Sequence, residues 1–414
     1  MRNDSDEALR QIVGPDHVRP GGERDAVRGV RPRFVVEPAD EREVAGVLQC
    51  ADALGMAVMP RGGGTKLSWG NPPARADVVL STARLNRIVD HPWADLTVTV
   101  EAGCTIAALQ HALGQRGQRI AMDALWPERA TVGGVLSAND SGALRLRFGG
   151  LRDLIIGATI ALADGTLAAS GGKVVKNVAG YDLPKLATGA LGTLGVITLA
   201  VFRLHPLPQS AHTLSTSCGS VEEMQRIIDS IQDSRLAHTS LQVRASNGIG
   251  PVIDIRFEGS EGGNVAQAAQ LAALTEAAWT TPEPGGSVWD ARQDLWQSPG
   301  IILKVSVLPT DLSQTLEVVQ HAAGTGAGWR VVMYGTGLGC VQIDPVHGAA
   351  GAIEPIRSFA ESRGGSAVVL RSPADSETTD AWGATGDALA LMAAVKHQFD
   401  PRGTLNPGRF AGGI

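Results

Sequence analysis

Three consecutive glycines, Gly62 to Gly64, stand between Arg61 and the pair Thr65 and Lys66, directly after a short apolar run. Because glycine has no Cβ, the backbone N–H groups of such a run can turn toward one point and bind an anion, and Thr65 adds a hydroxyl donor. The spacing fits neither the G-x-x-x-x-G-K-[ST] phosphate loop nor the G-x-G-x-x-G nucleotide fingerprint. The segment predicts an anion site outside both patterns, although taken alone it is equally typical of a glycine-rich turn.

Three further segments place small and polar residues where a ligand could meet the main chain. The first runs from Pro127 to Gly142 and predicts a helix capped by Thr131; the second is 148–153, and the third covers 173–182 and 189–198. Each one alone is as typical of a loop as of a ligand site. Their combination favours one extended site for a ligand bound at a helix start and by backbone groups.

The composition also favours a binding surface built from the main chain. Glycine makes up 51 of the 414 residues, or about 12%, whereas an average protein contains about 7% glycine. Of these glycines, 17 lie in the windows 62–70 and 133–195. The length exceeds the roughly 250–300 residues at which a single core stops growing, so we expect two domains. The net charge of −6, with no long block of like charge, predicts neither nucleic acid nor an anionic membrane surface as a partner.

The cysteines and histidines give no pattern for metal binding. The four cysteines form no C-x-x-C pair, so we expect no iron–sulfur cluster or structural zinc in this chain. No two of the nine histidines are close enough along the chain to chelate a metal locally, so we predict no metal site. The scarcity of cysteine indicates a cytoplasmic location, and the sequence predicts neither a signal peptide nor a transmembrane segment.

Apolar periodicity predicts the elements that position these segments. In the first half we expect a β-α-β unit made of a strand at 34–36, a helix that begins at the Asp40 cap and ends at Leu54 and Gly55, and a strand at 57–60. Asp40 and Glu43 are expected to form a capping box at this helix. Further strands are expected at 77–81, 97–100, 154–162 and 194–204, and further helices at 106–113 and 132–138. Beyond Pro206 and Pro208 the alternation of elements is typical of an α+β domain. There we expect helices at 221–231, 265–279 and 312–322 and strands at 240–243, 252–257, 301–307 and 331–334. In the C-terminal tail we expect a helix at 387–399 followed by an extended end.

In combination these motifs resemble the FAD-binding domain of the vanillyl-alcohol oxidase/p-cresol methylhydroxylase superfamily. The resemblance covers about 60% of the chain and rests on P-R-G-G-G-T, T-x-G-G, K-N-x-A-G-Y-D-L-x-K-L, L-G-T-L-G-V-I-T and the ending D-P-x-G-x-L-N-P-G-R-F. It implies a two-domain α+β fold of the p-cresol methylhydroxylase type. The expected parts are an FAD domain at 1–210, a second α+β domain at 211–371, and a C-terminal segment, 372–414, that returns to the FAD domain.

The same resemblance implies which residues bind FAD. The glycine loop would hold the pyrophosphate, the segment after Pro127 would complete the pyrophosphate and ribityl contacts, two β-strand residues would offer backbone groups to a ring, and the C-terminal segment would approach the flavin. The residues implied are Arg61, Gly62, Gly63, Gly64, Thr65, Lys66, Pro127, Thr131, Gly133, Gly134, Ser137, Asn139, Gly142, Asp153, Val196, Ile197, Asn406 and Arg409. Covalently flavinylated relatives carry His in the glycine loop, and no His lies between positions 17 and 91, so we expect non-covalent FAD.

The chain departs from the catalytic 2-hydroxy-acid members of this family at two places. It reads A-L-G-T-L-G at 190–195 where they usually read S-E-G-T-L-G, and it lacks their H-x-G-D-G-N-x-H-like metal segment. Tyr334 is a candidate catalytic residue that could orient a substrate or act as an acid, but a core tyrosine is equally consistent with its position. Arg330 and Arg371 are candidates for binding a carboxylate, with solvated arginine as the alternative.

These departures favour an accessory role over a catalytic one. Within the superfamily the chain resembles the flavin subunits of the glycolate and D-lactate dehydrogenases. This resemblance implies an FAD-binding subunit of a glycolate oxidase complex, with a catalytic flavin subunit and an iron–sulfur subunit as partners, in which this flavin relays electrons while glycolate becomes glyoxylate. Attachment to the inner membrane through those partners is a further expectation. A stand-alone FAD dehydrogenase or oxidase of a small hydroxy acid or alcohol is one alternative. A flavin-binding assembly protein without redox turnover is another.

Overall fold

The computed structural model of the protein describes residues 2–173, 181–283, 287–324, 326–344, 349–373 and 380–414. The elements up to residue 173 are α1 (Arg2–Val13), β1 (Val18–Pro20), β2 (Phe34–Val36), α2 (Glu41–Ala53), β3 (Val58–Arg61), β4 (Val78–Ser81), β5 (Ile88–Asp90), β6 (Thr97–Glu101), α3 (Ile106–Gly114), β7 (Gln118–Arg119), α4 (Val132–Ala138), α5 (Arg145–Phe148), α6 (Leu151–Leu154), β8 (Ile155–Ala161) and β9 (Leu167–Gly171). From residue 181 they are α7 (Leu183–Ala187), β10 (Val196–Arg203), β11 (His205–Pro206), β12 (Ser210–Ser217), α8 (Val221–Gln232), β13 (His238–Ser246), β14 (Ile249–Gly259), α9 (Glu261–Thr275), α10 (Ala291–Asp294), β15 (Ile301–Ser306), α11 (Leu312–Ala323), β16 (Trp329–Tyr334), β17 (Leu338–Ile343), α12 (Ala349–Ser362), β18 (Ser366–Arg371) and α13 (Ala388–Phe399).

The chain divides into two compact units, here called unit 1 and unit 2. Unit 1 comprises Met1–Asp140, Gly150–Pro206 and Thr385–Ile414, and unit 2 comprises Ser141–Gly149 and Leu207–Ala384. The sequence predicts that residues 141–149 and 207–210 belong to the FAD domain and that 380–384 belong to the C-terminal segment that returns to it. In the structure these three stretches belong to unit 2, and residues 141–149, which include Gly142, do so because α5 packs on β13.

The glycine loop of unit 1 follows the edge strand of a four-stranded sheet with the order β1-β2-β4-β3. The expected strand–helix–strand unit is present, but β4 lies between β2 and β3 and pairs in parallel with both. Asp40 caps α2 as predicted, accepting the N–H groups of Arg42 and Glu43 at 2.9 and 3.0 Å. The Glu43 carboxylate accepts the N–H of Ala39 instead of the cap residue's own N–H, so the capping box is displaced by one residue.

The second glycine segment of unit 1 packs on an antiparallel sheet with the order β5-β6-β10-β8-β9. Thr105 caps α3 and Thr131 caps α4, as the sequence predicts. The hairpin turn at Asp164 and Gly165 is also confirmed, with Gly165 at a φ of +86°. Strand β8 begins one residue later than expected, because residues 151–154 form the helical turn α6.

The C-terminal segment of unit 1 extends the first sheet beyond its edge strand β3. Leu405 forms a parallel bridge with Val58, whose N–H donates to Thr404 at 2.7 Å. The N–H of Asn406 returns a hydrogen bond of 2.9 Å to the carbonyl of Val58. This pairing carries the end of the chain to the start of the glycine loop.

Unit 2 is built on a seven-stranded antiparallel sheet with the order β12-β14-β13-β16-β17-β15-β18. Side chains of α8, α9, α11 and α12 share one core with the face of the sheet that carries Val243, Ile255 and Leu303. The predicted helix at 265–279 runs instead as α9, four residues earlier, after a Ser260 cap. Strands β17 and β18 and helix α12 are additional to the predicted elements. Within the described residues, no helix is both long enough and apolar enough to cross a bilayer.

Candidate functional site

The loop after β3 is folded so tightly that two of its three glycines admit no side chain. A Cβ on Gly62 would lie 2.0 Å from Oγ1 of Thr131, and a Cβ on Gly63 would lie 1.7 Å from the carbonyl oxygen of Arg129. Gly64 has a φ of +70°, a left-handed conformation that glycine adopts without strain. The loop therefore rests directly on the residues that precede α4, which joins two of the predicted segments.

The first turn of α4 explains the paired glycines there. Oγ1 of Thr131 accepts the N–H of Gly134 at 3.4 Å, and the N–H of Gly133 donates to Ala102 at 2.8 Å. A Cβ on Gly133 would lie 2.9 Å from the Cβ of Ala102. Gly133 is thus required for packing against the end of β6, whereas Gly134 faces the loop.

A pocket in unit 1 brings together eleven of the eighteen residues predicted to bind FAD. Its lining combines the glycine loop, the first turns of α4, one residue of the 188–194 turn, and the C-terminal segment. The lining residues are Val27, Met59, Pro60, Arg61, Gly62, Gly63, Gly64, Thr65, Lys66, Leu67, Thr131, Gly134, Ser137, Ala138, Leu191, Asn406 and Arg409. Three of these side chains are cationic and none is a carboxylate, so the wall of this pocket suits an anion.

Two of the cations are held by aspartates to which the sequence analysis gives no role. Arg61 pairs with Asp25, and the ammonium of Lys66 pairs with Asp140 between the rings of Trp69 and Trp126. The hydrogen bonds of Asp25, of which those from Arg19 contribute most, hold the pKa of its carboxyl well below the usual range. Both aspartates are buried, so they compensate charge behind the lining of the pocket rather than in it.

The C-terminal segment supplies the third cation. Nη2 of Arg409 donates to the carbonyl oxygens of Leu67 and Trp69 at 3.1 and 2.7 Å. Burial lowers the pKa of Arg409 to about 10, and repulsion from Arg28 adds to the effect. An anion bound nearby would favour the charged form of Arg409 and so offset both effects.

Asn406 lies beside this arginine and links the C-terminal segment to the 188–194 turn. Its backbone adopts a φ of +44°, and its side-chain amide donates to the carbonyl of Leu191, itself at a φ of +50°. Leu191 is the second residue of the A-L-G-T-L-G stretch at 190–195 and lines the pocket. The turn therefore contributes an apolar side chain to the pocket at that position.

The other seven predicted residues lie outside the lining of this pocket. The carbonyl of Pro127 accepts the N–H of Ala107, and the carboxylate of Asp153 accepts the N–H of Gly150 at the start of α6. Asn139 ends α4 at a φ of +47° and lines a separate cavity of unit 1. Of the remaining four, Gly133 packs against Ala102 and Gly142 lies in unit 2. Val196 and Ile197 lie in β10 and pair with Ala161 and Ile160 of β8.

The candidate substrate residues lie in unit 2. Tyr334 ends β16, is buried, and pairs with Gln242 of β13, so its catalytic role stays a prediction. The guanidinium of Arg371 donates to the carbonyls of Trp296, Ser298 and Gly300, which makes it a structural residue rather than a free carboxylate ligand. Arg330 likewise donates to the hydroxyl of Ser298.

The structure describes only part of the residues that bear on two predictions, the K-N-x-A-G-Y-D-L-x-K-L motif and the absence of a metal site. The motif K-N-x-A-G-Y-D-L-x-K-L begins at Lys176 and Asn177, and its positions 176–180 lie outside the described residues. Among the described residues, no group of three or more His, Cys, Asp or Glu side chains is arranged to hold a metal ion.

Comparison with known proteins adds a matching domain model, similar sequences and a similar fold. A sequence model described as "FAD binding domain" matches residues 32–171. The chain is 30% identical over 211 residues to "Glycolate oxidase subunit GlcD" of Bacillus subtilis, covering 51% of this chain but only 45% of that protein. It is 25% identical over 426 residues to "D-2-hydroxyglutarate dehydrogenase" of Xanthomonas citri, covering 91% of this chain and 89% of that protein.

A solved structure of p-cresol methylhydroxylase with substrate bound superposes with a TM-score of 0.77 at 15% identity, covering 99% of this chain and 96% of the other. The likeness confirms the predicted two-domain α+β fold of the p-cresol methylhydroxylase type. The matched domain confirms the predicted cofactor, FAD.

Proposed function

We propose that this chain, whose residues 32–171 match a sequence model of an FAD binding domain, is the FAD-binding subunit of a complex that oxidises a small 2-hydroxy acid. The expected substrate is glycolate and the expected product glyoxylate. The observation that carries the proposal is the pocket around Gly62 to Gly64, where three cations and no carboxylate line the wall. The names of two relatives, a glycolate oxidase subunit and a 2-hydroxyglutarate dehydrogenase, support the substrate class.

The residues of this pocket fit the diphosphate of FAD. Gly62 and Gly63 have no Cβ, which lets the loop pack against Thr131 and Arg129, and the same loop lines the pocket, where its N–H groups could bind a phosphate. Arg61 and Arg409 would neutralise the charge of the diphosphate, and the hydroxyls of Thr65 and Ser137 are further donors. When bound, FAD supplies the redox chemistry, accepting two electrons and passing them on. The loop contains no His, so the cofactor is expected to be non-covalent.

An electron-relay role accounts for the departures from the catalytic relatives. Leu191 lines the pocket where those enzymes carry a glutamate, so the pocket offers no carboxylate at that point to accept a proton. In this role a catalytic flavin subunit oxidises glycolate and an iron–sulfur subunit carries electrons onward. The complex would be cytoplasmic or attached to the inner membrane through those partners.

Two other functions remain as alternatives. A stand-alone dehydrogenase or oxidase would use Tyr334, one of only two tyrosines, to orient a small hydroxy acid or alcohol. An assembly protein would bind FAD, or only its partner subunits, without redox turnover. The three functions predict different behaviour of the purified chain.

The test begins with the visible spectrum of the purified chain and with acid precipitation. A flavin spectrum, with the yellow cofactor released into the supernatant, is expected for non-covalent FAD. Glycolate, D-lactate and D-2-hydroxyglutarate are then added without oxygen, with and without the candidate partner subunits. Bleaching only with partners supports the relay role, and rapid bleaching of the isolated chain supports the stand-alone enzyme. A chain that lacks flavin but joins its partners would support the assembly role.

A further inference from the structure

The carboxylate of Asp25 lies behind the glycine loop and binds two arginines at once. Oδ1 accepts a hydrogen bond from Nη1 of Arg61 at 2.9 Å, and Arg19 donates to both carboxylate oxygens at 2.7 Å. Oδ2 also accepts the N–H of Gly22 at 3.0 Å. Because Asp25 is only 2% exposed, its position is fixed by these donors rather than by solvent.

Arg61 is fixed by this carboxylate at one side only. Its Nη1 is used on Asp25, while Nε and Nη2 have no acceptor within the described residues. The side chain is 16% exposed and lines the pocket. A guanidinium is planar and presents its five N–H donors in fixed directions, so holding one nitrogen also sets the directions of the others.

The charges at this wall still favour an anion. Asp25 shares its single negative charge between Arg19 and Arg61, so it does not neutralise both guanidinium groups, and of the two only Arg61 lines the pocket. An isolated arginine at a pocket wall would lose its rotational freedom when a phosphate binds. The ion pair already restricts the Arg61 side chain in the folded protein, so less conformational entropy is lost when the ligand binds.

We propose that Asp25 is a positioning residue for the diphosphate of FAD, acting only through Arg61, whose guanidinium it holds at the wall of the pocket. The inference rests on the proposed FAD pocket and adds to it a residue with no part in the glycine motifs. Asp25 itself is not part of the pocket lining.

The competing explanation is that Asp25 only fastens the segment 18–25 to the end of β3. In that case its loss would lower the stability of unit 1 and weaken every flavin ligand alike. A positioning role predicts instead a loss confined to ligands with the diphosphate. It also predicts that the effect disappears once Arg61 has been removed.

The experiment is a double-mutant cycle on the flavin-free full-length chain with D25N, R61Q and the D25N/R61Q variant. Dissociation constants for FAD and for riboflavin are measured by quenching of flavin fluorescence. E23Q is the matched control, because Glu23 lies in the same helical turn, loses the same charge, and is 85% exposed. D25E keeps the charge but shifts it by one methylene, and circular dichroism reports whether each variant is folded.

We expect R61Q to weaken FAD binding about 10- to 100-fold, as for the loss of hydrogen bonds to a charged group. D25N should weaken FAD binding about 10-fold, D25E less, and E23Q and all riboflavin constants should change less than about 3-fold. The double variant should bind FAD no more weakly than R61Q alone. If D25N does not fold, D25E must still weaken FAD selectively.

Two results would overturn the proposal: multiplicative losses in the double variant, or equal losses for FAD and riboflavin. Failure of the pocket itself is distinguishable, because then the wild-type chain would bind FAD no more tightly than R61Q. In that case both the assignment of the pocket to FAD and the proposed role of Asp25 would be wrong. Tight wild-type binding with an unaffected D25N variant would leave the pocket standing and remove only the role of Asp25.

Discussion

The ammonium of Lys66 lies 3.2 Å from Oδ2 of Asp140, and both side chains are almost completely buried. The same carboxylate oxygen accepts the N–H of Leu125 at 2.8 Å. The rings of Trp69 and Trp126 flank the ammonium, with their centroids 5.8 and 5.5 Å away. The charge that the sequence assigns to the pyrophosphate is thus already paired inside unit 1.

Replacing only one partner of this ion pair should lower the stability of the folded chain more than replacing both partners. Asp140→Asn leaves the Lys66 ammonium buried without its counter-ion, so we expect the free energy of unfolding to fall by about 3–5 kcal/mol. The double replacement of Lys66→Met with Asp140→Leu leaves no unpaired charge and should cost less. Urea unfolding of the flavin-free chain, followed by circular dichroism, measures both.

The exposed pair of Lys185 and Asp182 is the matched control. Its atoms are 2.9 Å apart, but both side chains are about half exposed. Lys185→Gln should change the free energy of unfolding by less than about 1 kcal/mol. If the double variant were as unstable as Asp140→Asn alone, the loss would come from packing rather than from the unpaired charge.

A second prediction concerns Gly63 and the shape of the loop. In Gly63→Ala the new Cβ would meet the carbonyl oxygen of Arg129 at 1.7 Å, so the loop must move away from α4. We expect FAD binding to weaken at least about tenfold, or about 1.4 kcal/mol. The measurement is the flavin content of the purified chain together with the dissociation constant of FAD.

Gly114→Ala is the control for this prediction. Gly114 ends α3, and a Cβ there would meet nothing within 4 Å. Alanine favours a helix over glycine by about 1 kcal/mol, so this variant should be as stable as the wild type or more so. Equal flavin content in Gly63→Ala and Gly114→Ala would contradict the assignment of the loop.

The glycine loop shows what the sequence could predict about the site. A ligand that needs bare backbone leaves its mark as local glycine runs and helix caps, and the predicted loop and the Thr131 cap meet at one pocket. Asp25 and Asp140 left no such mark. Asp140 stands far along the chain from Lys66, and Asp25 stands 36 positions from Arg61 although only six from Arg19. A single aspartate in a polar stretch is indistinguishable from a solvated one until the fold pairs it.

The parts of the fold that depend on local sequence patterns were also predictable, whereas those that depend on contacts between distant segments were not. Helix α2 followed from its apolar period and the Asp40 cap, which are local. The insertion of β4 between β2 and β3 is a choice of strand order that no local pattern specifies. The transfer of 141–149 to unit 2 likewise depends on the packing of α5 on β13.

A third prediction concerns Asp400 and the C-terminal segment. Its buried carboxylate accepts the N–H groups of Thr404 and Leu405 at 2.8 and 2.7 Å and binds the ammonium of Lys396. Asp400→Asn removes the charge that orders this turn, so the segment beside β3 should open more often. We expect trypsin to cut after the exposed Arg402 at least about tenfold faster, and FAD to bind more weakly.

Mass spectrometry of timed digests follows that cleavage. Asp387→Asn serves as the control, because Asp387 precedes the same helix α13, is exposed, and makes no capping hydrogen bond. Its digestion rate and flavin content should match the wild type. Equal rates for both variants would mean that the turn does not depend on the carboxylate of Asp400.

The last prediction is a pH dependence that follows from Asp25. The hydrogen bonds from Arg19, Gly22 and Arg61 lower the pKa of Asp25 in the folded chain below its ordinary value of 3.8. The unfolded chain therefore takes up this proton at a higher pH than the folded chain does. The stability that the carboxylate contributes is complete above about pH 5 and is lost progressively as the pH falls through 3.8.

Asp25→Asn cannot undergo this titration, while the other carboxylates are common to both proteins. The difference in free energy of unfolding between the wild type and Asp25→Asn should therefore be constant from about pH 5 to 7 and shrink as the pH falls toward 2.5. Urea unfolding of the two flavin-free chains across this range measures the difference directly. A difference that stays constant down to pH 2.5 would mean that the ion pair with Arg19 and Arg61 does not stabilise the folded chain, and Arg61 would then need another means of being held at the pocket.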